Sequence, residues 1–287
     1  MSTLAIDLMG GDHAPDAVVQ AVNSLVGEYP QVVFHVTGPE HLKHLFSDEN
    51  VVFHIAEQVI AMDADAMLAV KSGARSTLGR GMALLKSGTV DAFVSAGNTA
   101  ALMALGYMGL RDKQGKRRPC IMSNIVTQGK KVWILDLGAN IQSTEVDLYE
   151  NAKAALDYLG DSDLSVRLLN IGSEPDKGPP VIQKAHELLE KDPLINYMGF
   201  VEGHEVLVGK SDIIVCNGFE GNAMTKLLES VTALWGKDTV NKPVIAPYAV
   251  FLGISKPVYK LHGRLQSEGI SSGLRAILEH SKISTSC

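Results

Sequence analysis

DAFVSAGNTAALMALGYMGL, residues 91–110, decides the fold class. The run DAFVSAG is short, apolar and closed by a glycine, the composition of a buried strand that stops at a polar turn. From Thr99 to Leu110 the apolar content continues at helix length. A strand that feeds directly into a helix is half of a β-α-β unit. The same transition recurs on both sides. TLAID (3–7), VVFHVTG (32–38) and VVFHIA (51–56) read as earlier strands, and KVWILDLG (131–138), VRLLNIG (166–172) and DIIVCNG (212–218) as later ones. Helices are expected at about 15–28, 76–87, 99–110, 145–159, 180–191 and 222–234. Such alternation predicts a largely parallel sheet with helices on its faces.

No internal repeat, low-complexity tract or long linker interrupts the pattern, so one α/β domain over residues 1–287 is the expectation. WGKDTVNKPVIAP (235–247) holds two prolines, breaks the rhythm and reads as a loop or tip outside the sheet. Hydrophobic residues make up 46% of the chain, enough for a large core. The three cysteines, Cys120, Cys216 and Cys287, are too scattered for a disulfide framework or a zinc cluster, which points to a reducing compartment, with the cytoplasm expected. No run approaches the roughly 18 apolar residues of a membrane span, and MSTLAIDLMGGD reaches an acid and two glycines too early for a signal peptide. The net charge of -6 argues against a nucleic-acid surface. One local exception is the basic run RDKQGKRR at 111–118.

Ligands of open α/β sheets bind beyond the carboxyl ends of strands, where glycines and helix N-termini expose N–H groups. Four strand ends have that composition: DLMGGDHAP (7–15), SAGNT (95–99), DLGAN (136–140) and CNGFEGN (216–222). None is a GxxxxGK[ST] or a GxGxxG, so a small anion fits better than a nucleotide. NIGSEPDKGPP (170–180) adds Lys177, a loop cation expected to pair with that anion. Nucleophile templates are missing, because there is no GxSxG elbow and Cys216 reads as a small buried residue before it reads as an acyl carrier. His13 and His262, in polar turns, are candidate acids or bases. No His, Cys or carboxylate spacing suits a metal.

MGGDHAP (9–15), VSAGNTAALMA (94–104), LDLGAN (135–140), LLNIGSEPDKG (168–178), NYMGFVEG (196–203) and CNGFEGN (216–222) resemble, in order, the signature blocks of the PlsX phosphate acyltransferases. The resemblance implies a three-layer α/β/α Rossmann-like fold of the isocitrate and isopropylmalate dehydrogenase-like and phosphotransacetylase-like type, usually homodimeric. It also implies acyl transfer from acyl carrier protein to inorganic phosphate without a cofactor, feeding phospholipid synthesis. On that reading Gly10, Gly11, Asp12, Gly97, Asn98 and Thr99 hold phosphate with Lys177. Gly138, Asn140, Gly218 and Asn222 face the thioester, and His13 or His262 protonates the leaving thiolate. Phosphate is already a nucleophile, so no triad is needed. Lys113, Lys116, Arg117 and Arg118, with Lys256, Lys260 and Arg264, are the docking candidates for the acidic carrier.

The chain departs from the family pattern at Asn217, where an Asp is usual, at Ala100, at Ile141 to Ser143, and in a shortened region after Leu234. An association with a membrane surface is therefore retained only as a weak one, without an amphipathic helix to support it. A coenzyme A-dependent phosphotransacetylase and a non-catalytic phosphate- or carrier-binding relative remain as alternatives. An NAD-linked dehydrogenase lacks both its fingerprint and a ribose-binding acid.

Overall fold

The computed structural model describes residues 2–65, 71, 73, 75–111, 117–234 and 243–280. The chain forms two compact units, the first built from residues 1–113 and 247–287, the second from 114–246.

In the first unit, β1 (Ser2–Asp7), β2 (Val32–Gly38), β3 (Val51–Ile55), β4 (Ala92–Ser95), β11 (Tyr248–Leu252) and β12 (Val258–Leu261) lie in the order β3-β2-β1-β4-β12-β11. All run parallel except β11, which is antiparallel to β12. Helices α1 (Asp16–Val26) and α7 (Ser267–His280) pack together, as do α2 (Thr77–Ser87) and α3 (Thr99–Leu110). Right-handed crossovers put α1 and α2 on opposite faces, because the chain moves outward from β1 to β3 and then returns past β1 to β4. The sheet is apolar through both faces: Leu4, Ile6, Phe34, Phe93 and Tyr259 are at most 1% exposed. The helices begin and end on sequence signals. Ser76 accepts a hydrogen bond from Gly79 N at the start of α2, and Gly88 closes it at a φ of 80°.

In the second unit, β5 (Cys120–Thr127), β6 (Lys130–Leu135), β7 (Val166–Leu169), β8 (Tyr197–Val201) and β9 (Ile213–Val215) take the order β5-β6-β9-β7-β8. β10 (Val244–Ile245) adds an antiparallel pairing to β5. β5 and β6 form a hairpin whose two turn residues, Gln128 and Gly129, both have positive φ, 49° and 78°. The other strands run parallel. Helices α4 (Glu145–Leu159), α5 (Pro180–Lys191) and α6 (Gly218–Leu234) complete the unit. α4 opens with a reciprocal capping box between Thr144 and Asp147, and α5 with proline in its first turn. Ile125, Val132, Ile134, Val201, Val206, Ile214 and Cys216 form its core.

Every strand and helix read from the sequence is present. Five strands were not expected: β5, β8, β10, β11 and β12. The helix α7 was also unforeseen. The stretch 235–247 is corrected in part: residues 235–242 lie outside the described residues, but Val244 and Ile245 are sheet members. α6 begins at Gly218, four residues before the sequence expectation.

Candidate active site

In the first unit the strand order turns back between β1 and β4, and such a reversal opens a crevice beyond the strand ends. The loops Asp7–His13 and Ser95–Asn98 meet there. Asp7 is buried at the end of β1 and accepts from Ser95 Oγ at 2.7 Å and from Met9 N at 3.0 Å. Ser95 Oγ in turn accepts from Gly97 N at 2.9 Å. Burial pushes the Asp7 carboxyl above its usual range, while its hydrogen bonds and the Lys260 charge act against that rise. The loops touch at glycine. A Cβ on Gly10 would stand 2.5 Å from Gly97 N and 2.8 Å from Ser95 Oγ, so only glycine lets the two turns close on each other.

Asn98 caps α3, accepting from Ala101 N at 2.9 Å, and its amide donates to the carbonyls of Ala61, Met62 and Ala64. Its side chain is thus fully engaged in placing the loop. Beyond it, Thr99 is exposed at the helix N-terminus, where the dipole favours an anion. Among the described residues the N–H groups of Gly10 and Gly11 have no acceptor. Asp12 N donates to Gly263 O at 2.8 Å, which joins the 10–13 loop to the turn that carries His262. His13 is exposed and His262 half-buried.

One cation already belongs to this cluster. Lys260 extends from β12 and donates to Ala96 O at 2.8 Å and to Leu261 O. Lys260 is one of the docking candidates read from the sequence, and its ammonium lies against the turn that carries Gly97.

In the second unit the loops after the neighbouring strands β6 and β9 come together. The Asp136 carboxylate accepts from the N–H groups of Ile121, Gly138, Ala139 and Asn140 at 3.1, 3.2, 2.9 and 2.8 Å, and from Asn140 Nδ2 at 3.0 Å. The N–H groups expected to cradle an outside anion at 136–140 are therefore spent on the chain's own carboxylate. Asn140 also donates to Pro119 O at 2.8 Å. α6 lies against this loop so closely that a Cβ on Gly218 would overlap Asn140 O, and one on Gly221 would overlap Asp136 O. Asn222, exposed in the second turn of α6, covers Gly138.

Asn217 accepts from Ser143 N at 3.2 Å and donates to Glu220 at 3.3 Å. An Asp there has no N–H to give Glu220, so Asn217 and Glu220 form a matched pair. Cys216 is buried, and its thiol is pushed well above the usual range by burial and then by Asp136, which leaves no thiolate to carry an acyl group.

Lys177 lies exposed in the turn between β7 and α5, with its carbonyl accepting from Asn170 Nδ2 at 3.1 Å. The basic run is divided. Lys113 and Lys116 lie outside the described residues. Arg117 is held by Glu150 at 2.8 Å and Asp157 at 2.9 Å, and Arg118 by Asp147 at 3.1 Å. Among the described residues no group of three His, Cys, Asp or Glu side chains is placed to hold a metal, and no helix is long and apolar enough to cross a membrane.

Doubly wound units with glycine loops at their strand ends define an α/β protein of Rossmann-like fold. Solved structures agree with that fold. A phosphotransacetylase from Streptococcus pyogenes superposes with a TM-score of 0.72 at 18% identity, over 98% of this chain and 94% of that one. A 4-hydroxythreonine-4-phosphate dehydrogenase from Klebsiella pneumoniae gives 0.55 at 12% identity, over 98% of each chain. The family model described as "Fatty acid synthesis protein" matches residues 2–237. A phosphate acyltransferase of Coxiella burnetii (strain CbuG_Q212) is 36% identical over 249 residues, 82% of this chain and 72% of that protein. One from Lactococcus lactis subsp. lactis (strain IL1403) is 33% identical over 308 residues, with 96% and 93% covered. The chain belongs to this phosphate acyltransferase (PlsX) family of acyltransferases.

Proposed function

We propose that this chain transfers a fatty acyl group from acyl carrier protein to inorganic phosphate, giving the acyl phosphate that phosphatidic acid synthesis consumes. The observation that carries the reading is the meeting of Gly10 and Gly11 with Gly97 to Thr99 at the β1–β4 reversal. Unspent N–H groups, a helix N-terminus and the Lys260 ammonium converge there on a place suited to a dianion. A phosphate oxygen held so attacks the thioester carbonyl carbon, the C–S bond breaks, and the proton of the phosphate passes to the departing thiolate. His262, beside the 10–13 loop, is the side chain proposed to relay it. Within the second unit, Gly218 sets the close approach of α6 to the 136–140 loop.

The test is to incubate the protein with long-chain acyl carrier protein, with and without phosphate, and to trap the product with hydroxylamine. Phosphate-dependent hydroxamate is expected. Equal turnover of acyl-coenzyme A would replace the carrier by coenzyme A as donor. No product from either thioester would overturn the enzyme reading and leave a binding protein.

A further inference from the structure

We propose that the second unit seats the acyl chain and the amide-bearing arm of the thioester in a cavity beyond the carboxyl ends of β7 and β9, an inference that rests on the transfer reaction proposed above. The cavity measures about 420 Å³, within the range of small-molecule sites. Leu169, Ile171, Pro179, Ile182 and Cys216 give it an apolar wall, and the protonated thiol of Cys216 behaves as part of that wall.

The polar groups decide what enters. The cavity has two carboxylates, Glu202 and Glu220, and no cation among its lining residues. Phosphate and free fatty acids, both anions, are therefore disfavoured. Asn170, also a wall residue, is 7% exposed, and its Nδ2 donates to Lys177 O at 3.1 Å. Apolar walls with two carboxylates and no cation suit a neutral chain that carries N–H groups. A pantetheine thioester, with two amides and an acyl tail, has that chemistry.

The wall is also continuous with the loops after β6 and β9. Cys216 Sγ donates to Asp136 O at 3.5 Å, and Asn217, which lines the cavity, holds Ser143 N. A chain seated here leads its carbonyl toward the segments 136–143 and 217–222.

The test is calorimetric binding of butanoyl-, octanoyl- and dodecanoyl-pantetheine, and of dodecanoate, to the full chain without phosphate. Affinity is expected to rise with acyl length, and dodecanoate to bind about tenfold more weakly than its pantetheine ester. Ile182→Trp fills the cavity and is expected to weaken dodecanoyl-pantetheine about tenfold while leaving the butanoyl ester within about threefold. Ile171 is 77% exposed, so Ile171→Asp leaves the core untouched and is expected to give the same selective loss. Unchanged length dependence in both variants, or dodecanoate binding as tightly as its ester, would overturn the proposal. Binding of this pattern without phosphate-dependent turnover would sink the transfer reading alone. Turnover with long-chain preference intact in both variants would sink the cavity alone.

Discussion

Lys260 lies between Tyr259 and Leu261, both at most 2% exposed, so strand alternation gives it a different environment from its neighbours. Its ammonium donates to Ala96 O, one residue before the Gly97 turn. A charge fixed by two carbonyls needs no reordering when a dianion arrives. Lys260→Met is expected to raise the phosphate KM about tenfold to a hundredfold, the loss of one charged hydrogen bond, with a smaller effect on the KM for the acyl donor. Steady-state kinetics with phosphate varied at saturating donor would show it. An unchanged phosphate KM in a folded variant would remove Lys260 from the site. The glycine turns were legible as anion-friendly because composition alone marks them. Which turn remains open was not, since Asp136 reads in sequence as one more turn residue and only the fold shows it filling its own nest. Lys177 stands out in sequence because it sits in a glycine-rich loop, whereas the position of Lys260 beside the Gly97 turn is hidden in an apolar strand.

At the scale of elements, reading for strand–helix alternation found the parallel strands and missed the antiparallel ones. β5 contains Ser123 and Asn124, which broke its apolar run, and its turn to β6 is Gln-Gly, a weaker signal than Asn-Gly. β11 and β12 follow a proline-rich stretch and are joined through Gly253 at a φ of 78°, so their pairing is a hairpin-like return that a β-α-β template does not contain. The parallel pairing of β2 with the edge strand β3 carries a titratable link. Val52 is the register partner of His35, and His54 stands two residues further along β3, so both rings emerge on one face. They are stacked with centroids 5.1 Å apart, and His35 Nδ1 lies 2.8 Å from His54 Nε2.

Burial lowers the pKa of His35, while burial, His35 and Arg80 together lower His54 to about 4. A histidine whose folded pKa is depressed binds protons more readily when unfolded. Its stabilisation is therefore complete above the unfolded value near 6.5 and is lost as pH falls from there through about 4. The urea midpoint of the native chain is expected to fall more steeply than that of His54→Gln across this window. Parallel pH curves for the two proteins would show that the pair does not titrate with folding.

On the scale of the whole molecule, the proposed docking of an acidic carrier on a chain of net charge -6 would need a local patch to overcome general repulsion. The two described arginines of the basic run differ in what they can give. Arg117, with a side chain 27% exposed, is neutralised by Glu150 and Asp157 of α4, whereas Arg118 is half exposed and has one acidic partner, Asp147. Arg117 therefore ties the chain entering β5 to α4, and Arg118 is the one proposed to meet the carrier. Arg117→Met is expected to destabilise by about 1 kcal/mol and to leave the KM for acyl carrier protein unchanged. Arg118→Glu is expected to raise that KM about fivefold to tenfold at low salt, with the difference shrinking as added salt shortens the screening length. Thermal melts and carrier-dependent kinetics at two ionic strengths separate the roles. A KM insensitive to both salt and Arg118→Glu would mean that the carrier docks elsewhere on the molecule.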